Sequence, residues 1–146
     1  MALVEQDLVT MSADELDELF RKSPAGEIPS GEANGQVLLG SEHDSLSETA
    51  AQVAHLIAWQ GKVFDREKGL LVNKVGPFGT ELIRARVYKE PSWFDGNETI
   101  VLDYSDTSVV ARWIRDEIRE VAPHLYLGLV FWDDDKILHF SLKFPE

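Results

Sequence analysis

The stretch Leu125-Tyr126-Leu127-Gly128-Leu129-Val130-Phe131-Trp132-Asp133-Asp134-Asp135-Lys136-Ile137-Leu138-His139-Phe140-Ser141-Leu142-Lys143-Phe144 reads as two strands joined by an acidic turn. Residues 125–132 are apolar on both faces, the pattern of a strand lying between a helix layer and a cavity. Gly128 at their centre leaves room for a close neighbour, whether a helix, an aromatic ring or a ligand. Asp133-Asp134-Asp135 lacks the alternate ligand spacing and central glycine of a calcium loop, so it reads as the solvated turn of a hairpin. A hairpin pairs its strands antiparallel.

Working upstream, residues 62–64, 70–75, 81–88 and 98–104 have the same β-branched and aromatic character and are separated by turn residues. With a first strand at 35–39 and the terminal hairpin, this predicts seven strands. Seven strands joined mainly by short turns tend to curl or close to protect their edges. The expected class is α+β: a mainly antiparallel, strongly curved sheet or small β-barrel with about three helices. A cone-shaped sheet packed on helices is the alternative, and both enclose a cavity.

The first helix is predicted over 12–22, where Ser12 and Glu15 make a capping box ahead of Leu16, Leu19 and Phe20. A second capping box, Ser45 with Glu48, opens a helix carrying Leu46, Ala50, Val53, Ala54 and Ile57 at helical spacing. The third is predicted over 107–122, with Val110, Trp113, Ile114, Ile118 and Val121 on one face and Pro123 as its stop.

The chain has 146 residues and no cysteine, with 26 acidic and 14 basic side chains for a net charge of −12. That is the size of one domain, without disulfides or thiolate-bound metal. Eleven of the acids and two of the bases lie in residues 1–50, so the acidity is mostly N-terminal. The first segment, 1–11, lacks a sustained apolar pattern and is expected to be mobile, leaving 12–146 as the folded domain. Such a charge repels a phosphate backbone and anionic membranes, so neither nucleic acid nor membrane is an expected partner. No apolar run approaches the ~18 residues of a membrane span, and a cytoplasmic location is expected.

The segment Ile57-Ala58-Trp59-Gln60-Gly61-Lys62-Val63-Phe64 resembles the Gly-x-Trp-x-Gly segment of lipocalin-like families, with Ile57 in place of the first glycine. More widely, Arg84-Ala85-Arg86-Val87-Tyr88, Pro91-Ser92-Trp93-Phe94-Asp95-Gly96, Ile100-Val101-Leu102-Asp103-Tyr104-Ser105 and Leu125-Tyr126-Leu127-Gly128 are similar to a group of small bacterial proteins of calycin type. The resemblance implies a bacterial source and a ligand-enclosing, lipocalin-like barrel, and it transfers no catalytic residue.

Among chemistry-bearing residues, His43, His55, His124 and His139 lie in four separate segments, without the short spacings that put two imidazoles on one ion. No metal or cofactor is therefore expected. Gly76-Pro77-Phe78-Gly79 joins two strands and offers no helix N-terminus to a phosphate, while Ser105 and Ser108 read as capping residues. Glu117 is the most informative side chain, because on the predicted helix it falls in the middle of the apolar face. A buried carboxylate must be paired, protonated or opened to a wet cavity. Arg84, Arg86 and Tyr88 share one face of their strand and Ile83, Ala85 and Val87 the other, leaving open which looks inward. Asp103 and Tyr104 fall on opposite faces of theirs.

Three functions fit these residues. The first is a barrel binding a hydrophobic or aromatic small molecule, with Trp59, Trp113 and Tyr126 in the walls and Arg84, Arg86 or Tyr88 orienting a carboxylate or carbonyl. The second is a cofactor-independent isomerase, cyclase or hydratase, in which Glu117 or Asp103 moves a proton and Tyr104, Tyr126 or Arg86 stabilises an oxyanion. The third is an adaptor using the acidic N-terminal segment, and a homodimer is left open. In a purely structural role, Glu117, Arg84, Arg86 and Asp103 form an ion-pair network tying helix to sheet.

Overall fold

The computed structural model describes residues 3–38, 61–75, 81–106 and 110–145. Two short helices, α1 (Glu5–Val9) and α2 (Ala13–Lys22), precede the strands β1 (Gly31–Leu38), β2 (Gly61–Asp65), β3 (Leu70–Val75), β4 (Glu81–Pro91), β5 (Glu98–Asp103), β6 (Ile114–Ala122), β7 (Leu125–Trp132) and β8 (Asp135–Lys143). Each strand pairs antiparallel with the next, and β1 pairs with β8, for example Val37 opposite Phe140, to close a barrel. Closure gives every strand of the barrel a hydrogen-bonded neighbour on both sides. Among the described residues no helix is long and apolar enough to cross a membrane.

The expected hairpin is present. Trp132 pairs with Asp135, and Asp133 and Asp134 take the left-handed backbone at φ 48° and 81°. Positive φ at both central positions is the type I′ arrangement, which matches the strand twist, and Asp tolerates it better than most side chains. The capping box on α2 is also formed: the Glu15 amide donates to Ser12 Oγ at 3.2 Å and the Ser12 amide to Glu15 Oε1 at 3.0 Å.

The helix predicted over 107–122 is replaced by a single 3₁₀ turn, Val110–Trp113, and the strand β6. β6 pairs with β5 on one side and β7 on the other. Without it both neighbours would expose a row of backbone donors and acceptors. Its residues also satisfy a two-residue period: Ile114 and Ile118 join the cluster inside the barrel, while Arg115, Glu117 and Arg119 lie on the outer face. The sheet therefore has eight strands, and two helices among the described residues. The helix predicted from Ser45 lies outside those residues.

Two apolar clusters result. The inner one takes residues from all eight strands, among them Ala33, Phe64, Leu71, Ala85, Ile100 and Ile118. The outer one sets Leu125, Leu127, Leu129 and Phe131 of β7 against Leu8 of α1 and Leu16 and Phe20 of α2. This explains why β7 is apolar on both faces, although the covering helices come from the N-terminus. The segment expected to be mobile thus carries a helix whose Leu8 is fully buried. Asp17 of α2 further ties the helix to β8, accepting from Lys136 Nζ at 2.6 Å and sharing a 2.7 Å bond with His139 Nε2.

Gly128 faces into the barrel directly opposite Phe140, and a Cβ there would lie 2.3 Å from the Phe140 ring. The neighbour for which the glycine leaves room is an aromatic ring. Gly128→Ala must displace that ring and is expected to destabilise the fold by about 1–3 kcal/mol. Urea denaturation should show a lower midpoint with an unchanged slope, and an unchanged midpoint would contradict this packing.

One end of the barrel is plugged by the segment between α2 and β1. The Glu120 amide donates to the Ala25 carbonyl at 3.2 Å and the Tyr126 hydroxyl to the Glu27 carbonyl at 2.6 Å. Gly26, at φ 77°, passes so close to Glu120 that a Cβ would lie 2.5 Å away. At the other end stand the Asp133-Asp134 turn, the start of β2 and the 3₁₀ turn.

Candidate functional site

Among the described residues, four polar side chains gather in the middle of the barrel. Lys62 is two residues before the inward Phe64, Asn73 two after the inward Leu71, Tyr104 two after Leu102, and Asp116 lies between Ile114 and Ile118. Two-residue alternation along each strand makes them converge. Lys62 pairs in register with Asn73, and Asp116 with Leu102 and Val130. Lys62 and Asp116 are fully buried, and Asn73 and Tyr104 nearly so.

Their bonding is incomplete. Lys62 Nζ donates to Tyr104 Oη at 3.0 Å. Both Asp116 carboxylate oxygens and Asn73 Oδ1 lack a hydrogen-bond partner among the described residues. Burial pushes the Asp116 carboxyl up to about 7, against the pull of the Lys62 ammonium and the nearby Tyr104 hydroxyl. Burial brings the Lys62 amine down to about 8, with Asp116 acting the other way. Tyr104 is raised well above the usual phenol range by burial and by Asp116. Both a proton donor and a proton acceptor are thus available inside the barrel near neutral pH. With Asp116 ionised all three orphaned atoms are acceptors, so what they lack is an N–H or O–H donor.

The residues expected to form a site are placed differently. Glu117 is fully buried, but on the outer face, where it accepts from Ser92 Oγ at 2.5 Å, the Trp93 amide at 2.8 Å, and Arg115 Nε and Nη2 at 3.1 Å. It is saturated, and it fastens the β4–β5 connection to β6. Arg84, Arg86 and Tyr88 lie on the outer face of β4, since Ala85 and Val87 occupy the inner one. The expectation that they orient a ligand in the cavity is corrected accordingly. Asp103 is also outside, bonded to Tyr88 Oη at 2.8 Å, Arg86 Nη2 at 3.1 Å and the Ser105 amide at 2.8 Å. Burial acts to raise its carboxyl, but these bonds outweigh it and hold the group below the usual range.

Tyr126 is inside at the plugged end, its hydroxyl spent on Glu27. Trp113 is 48% exposed at the opposite rim. Trp59 lies outside the described residues. Among the described residues, Tyr104 alone of those nominated joins Lys62, Asn73 and Asp116. Asp116 escaped the sequence reading because a helical period over 107–122 puts it on the charged side, and Lys62 and Asn73 because local alternation does not say which face of a strand looks inward. The signal was the alternation Ile114, Asp116, Ile118.

No family model and no curated protein matches the chain. Among solved structures, a protein from Thermomonospora curvata has the same fold, with a TM-score of 0.62 and 16% identity over 94% of this chain and 90% of that one. The chain is an eight-stranded antiparallel barrel, consistent with a lipocalin-like architecture.

Proposed function

We propose that the protein binds a small molecule with an apolar body and a polar head bearing N–H or O–H donors, seated inside the barrel against the Lys62, Asn73, Tyr104 and Asp116 cluster. The observation that carries this reading is the pair of fully buried Asp116 oxygens, which have no hydrogen-bond partner among the described residues. A buried acceptor left unpaired costs about 1–3 kcal/mol, and more when charged, so a ligand donor at that point would recover that cost. Lys62 and Tyr104 would receive the ligand's carbonyl or ring oxygen, and Leu102, Val130, Ile114 and Phe140 would surround its body. A free carboxylate on the ligand is disfavoured, because it would meet Asp116.

Native mass spectrometry of the purified protein tests this by seeking a co-purifying small molecule, and displacement of an anilinonaphthalene dye ranks candidates. Phenols, amides and alcohols of flat aromatics are expected to compete better than the matching carboxylates. Lys62→Met is expected to weaken them at least ten-fold, whereas Arg84→Ala, on the outer face, leaves them unchanged. Failure of every ligand, or weakening by Arg84→Ala alone, would end this reading.

A second reading, proton transfer on a bound carbonyl compound, is favoured by the near-neutral Asp116 carboxyl. Asp116 would take the proton and the Lys62 and Tyr104 pair would hold the oxyanion. The two readings separate on whether a bound ligand exchanges C–H for deuterium in heavy water.

A further inference from the structure

A second place in the molecule has the character of a site, on the outer surface at the rim where the 3₁₀ turn meets the β7–β8 hairpin. Trp93 and Trp113 are 51% and 48% exposed, and both border a groove of about 320 Å³. Large aromatic rings left this open are uncommon on a free surface and mark binding sites when they face one depression. The volume lies at the lower end of the range for small-ligand clefts, on the order of 300–1,000 Å³. The groove is held in shape: the Asp133 amide donates to the Trp113 carbonyl at 3.1 Å, and Trp93 packs edge-on against Phe131 with centroids 5.5 Å apart.

The chemistry of its walls narrows the occupant. Arg115 stacks over Trp93 at 4.2 Å and Arg112 over Trp113 at 5.2 Å. One cation position at each ring is thus already filled from within the chain, which disfavours a cationic ligand. Asp103, Asp133 and Asp134 line the groove with the two arginines, and Arg115 is engaged with Glu117 and Glu90. Asp103 is paired in turn with Arg86, so Asp133 and Asp134 against Arg112 leave the groove net negative, which disfavours phosphates, nucleotides and carboxylic acids. A wholly apolar ligand would strip water from these charged edges without replacing its hydrogen bonds. What remains is a neutral molecule with C–H faces to lie on indole rings and many hydroxyls to meet carboxylate acceptors and guanidinium donors.

We propose that the groove between Trp93 and Trp113 is a saccharide-binding site, taking a neutral sugar whose ring lies against the tryptophans and whose hydroxyls bond to Asp133, Asp134 and Arg112. It is separate from the barrel interior, so either site can be occupied without the other.

The test is titration of the intact protein with a panel of neutral mono- and oligosaccharides, followed by the indole N–H signals of the tryptophans and by calorimetry. Saturable binding that moves the Trp93 and Trp113 signals is expected. Trp113→Ala, which removes a half-exposed ring, is expected to lower the affinity at least ten-fold without changing the melting temperature. A panel in which no neutral sugar moves these signals overturns the proposal. So does sugar binding that survives Trp113→Ala, or saturable binding of tetramethylammonium or indole acetate where no sugar binds.

Discussion

Arg119→Ala is expected to lower the unfolding free energy by about 3–5 kcal/mol, because it breaks a buried ion pair by removing one partner. Arg119 is fully buried on the outer face of β6. Its guanidinium donates to Asp95 Oδ2 and Oδ1 at 2.7 Å each, to the Phe20 carbonyl at 2.7 Å and to the Asn97 carbonyl at 3.2 Å. It also lies 4.2 Å from the Phe20 ring centroid. One side chain therefore joins the end of α2, the β4–β5 turn and the barrel wall. Its loss strands a carboxylate and two carbonyls, opens a hole under Phe20 and frees α2 to leave β7. At roughly 2–4 °C per kcal/mol for a chain near this size, the melting temperature should fall by about 10 °C. Asp95→Ala should be costly as well, and the double variant little worse than Arg119→Ala, since both remove the same bidentate pair. A loss below about 1 kcal/mol, or full additivity, would show that this network is solvated and carries little of the fold.

The second large effect has the opposite sign. Lys62→Met combined with Asp116→Val is expected to stabilise the protein at pH 7 by about 1–4 kcal/mol while abolishing ligand binding, because both buried charges and their orphaned atoms are replaced by apolar groups of suitable size. The pH dependence should change with it. Asp116 holds its proton up to about pH 7 when folded, whereas an unfolded carboxylate loses it near pH 4. The folded state thus binds more protons in that window, and stability falls as pH rises through it, by on the order of 4 kcal/mol. Lys62 loses its proton near pH 8 when folded and above pH 10 when unfolded. The folded state there binds fewer protons, and stability recovers as pH rises, by on the order of 3 kcal/mol. Urea denaturation from pH 4 to pH 10 should show a minimum near neutrality in the parent and a flatter profile in the double variant. Persistence of the minimum in the variant would locate its cause elsewhere. A variant less stable than the parent at pH 7 would show that the cluster contributes to the fold, removing the argument that it is kept for a ligand.

How much of this was legible in the residues differs from element to element. Ser12 and Glu15 announced α2 because a capping box acts within four residues and needs nothing from the rest of the chain. The acidic turn and the doubly apolar β7 announced the terminal hairpin for the same local reason, and Gly128 announced a close neighbour without deciding between a helix, an aromatic ring and a ligand. β6 was misread because its apolar residues satisfy both a helical and a strand period, and local pattern cannot choose between them. The choice was made by β5 and β7, whose edges need a partner, an interaction between segments distant in the chain. That misreading moved the anomalous carboxylate by one position. A helix makes Glu117 the charge in the core, and a strand makes it Asp116.

The sequence by itself determined a curved antiparallel sheet, its terminal hairpin and the helix α2, since these follow from turn chemistry, capping and two-residue alternation. Only the tertiary structure decided which face of each strand is the inside. Barrel closure sent Arg84, Arg86, Tyr88 and Asp103 outward together and Lys62, Asn73, Tyr104 and Asp116 inward together, because alternation fixes which residues share a face but not which face meets the axis. The candidate site therefore consists of residues from β2, β3, β6 and the position just after β5, whose convergence depends on the register of every strand between them.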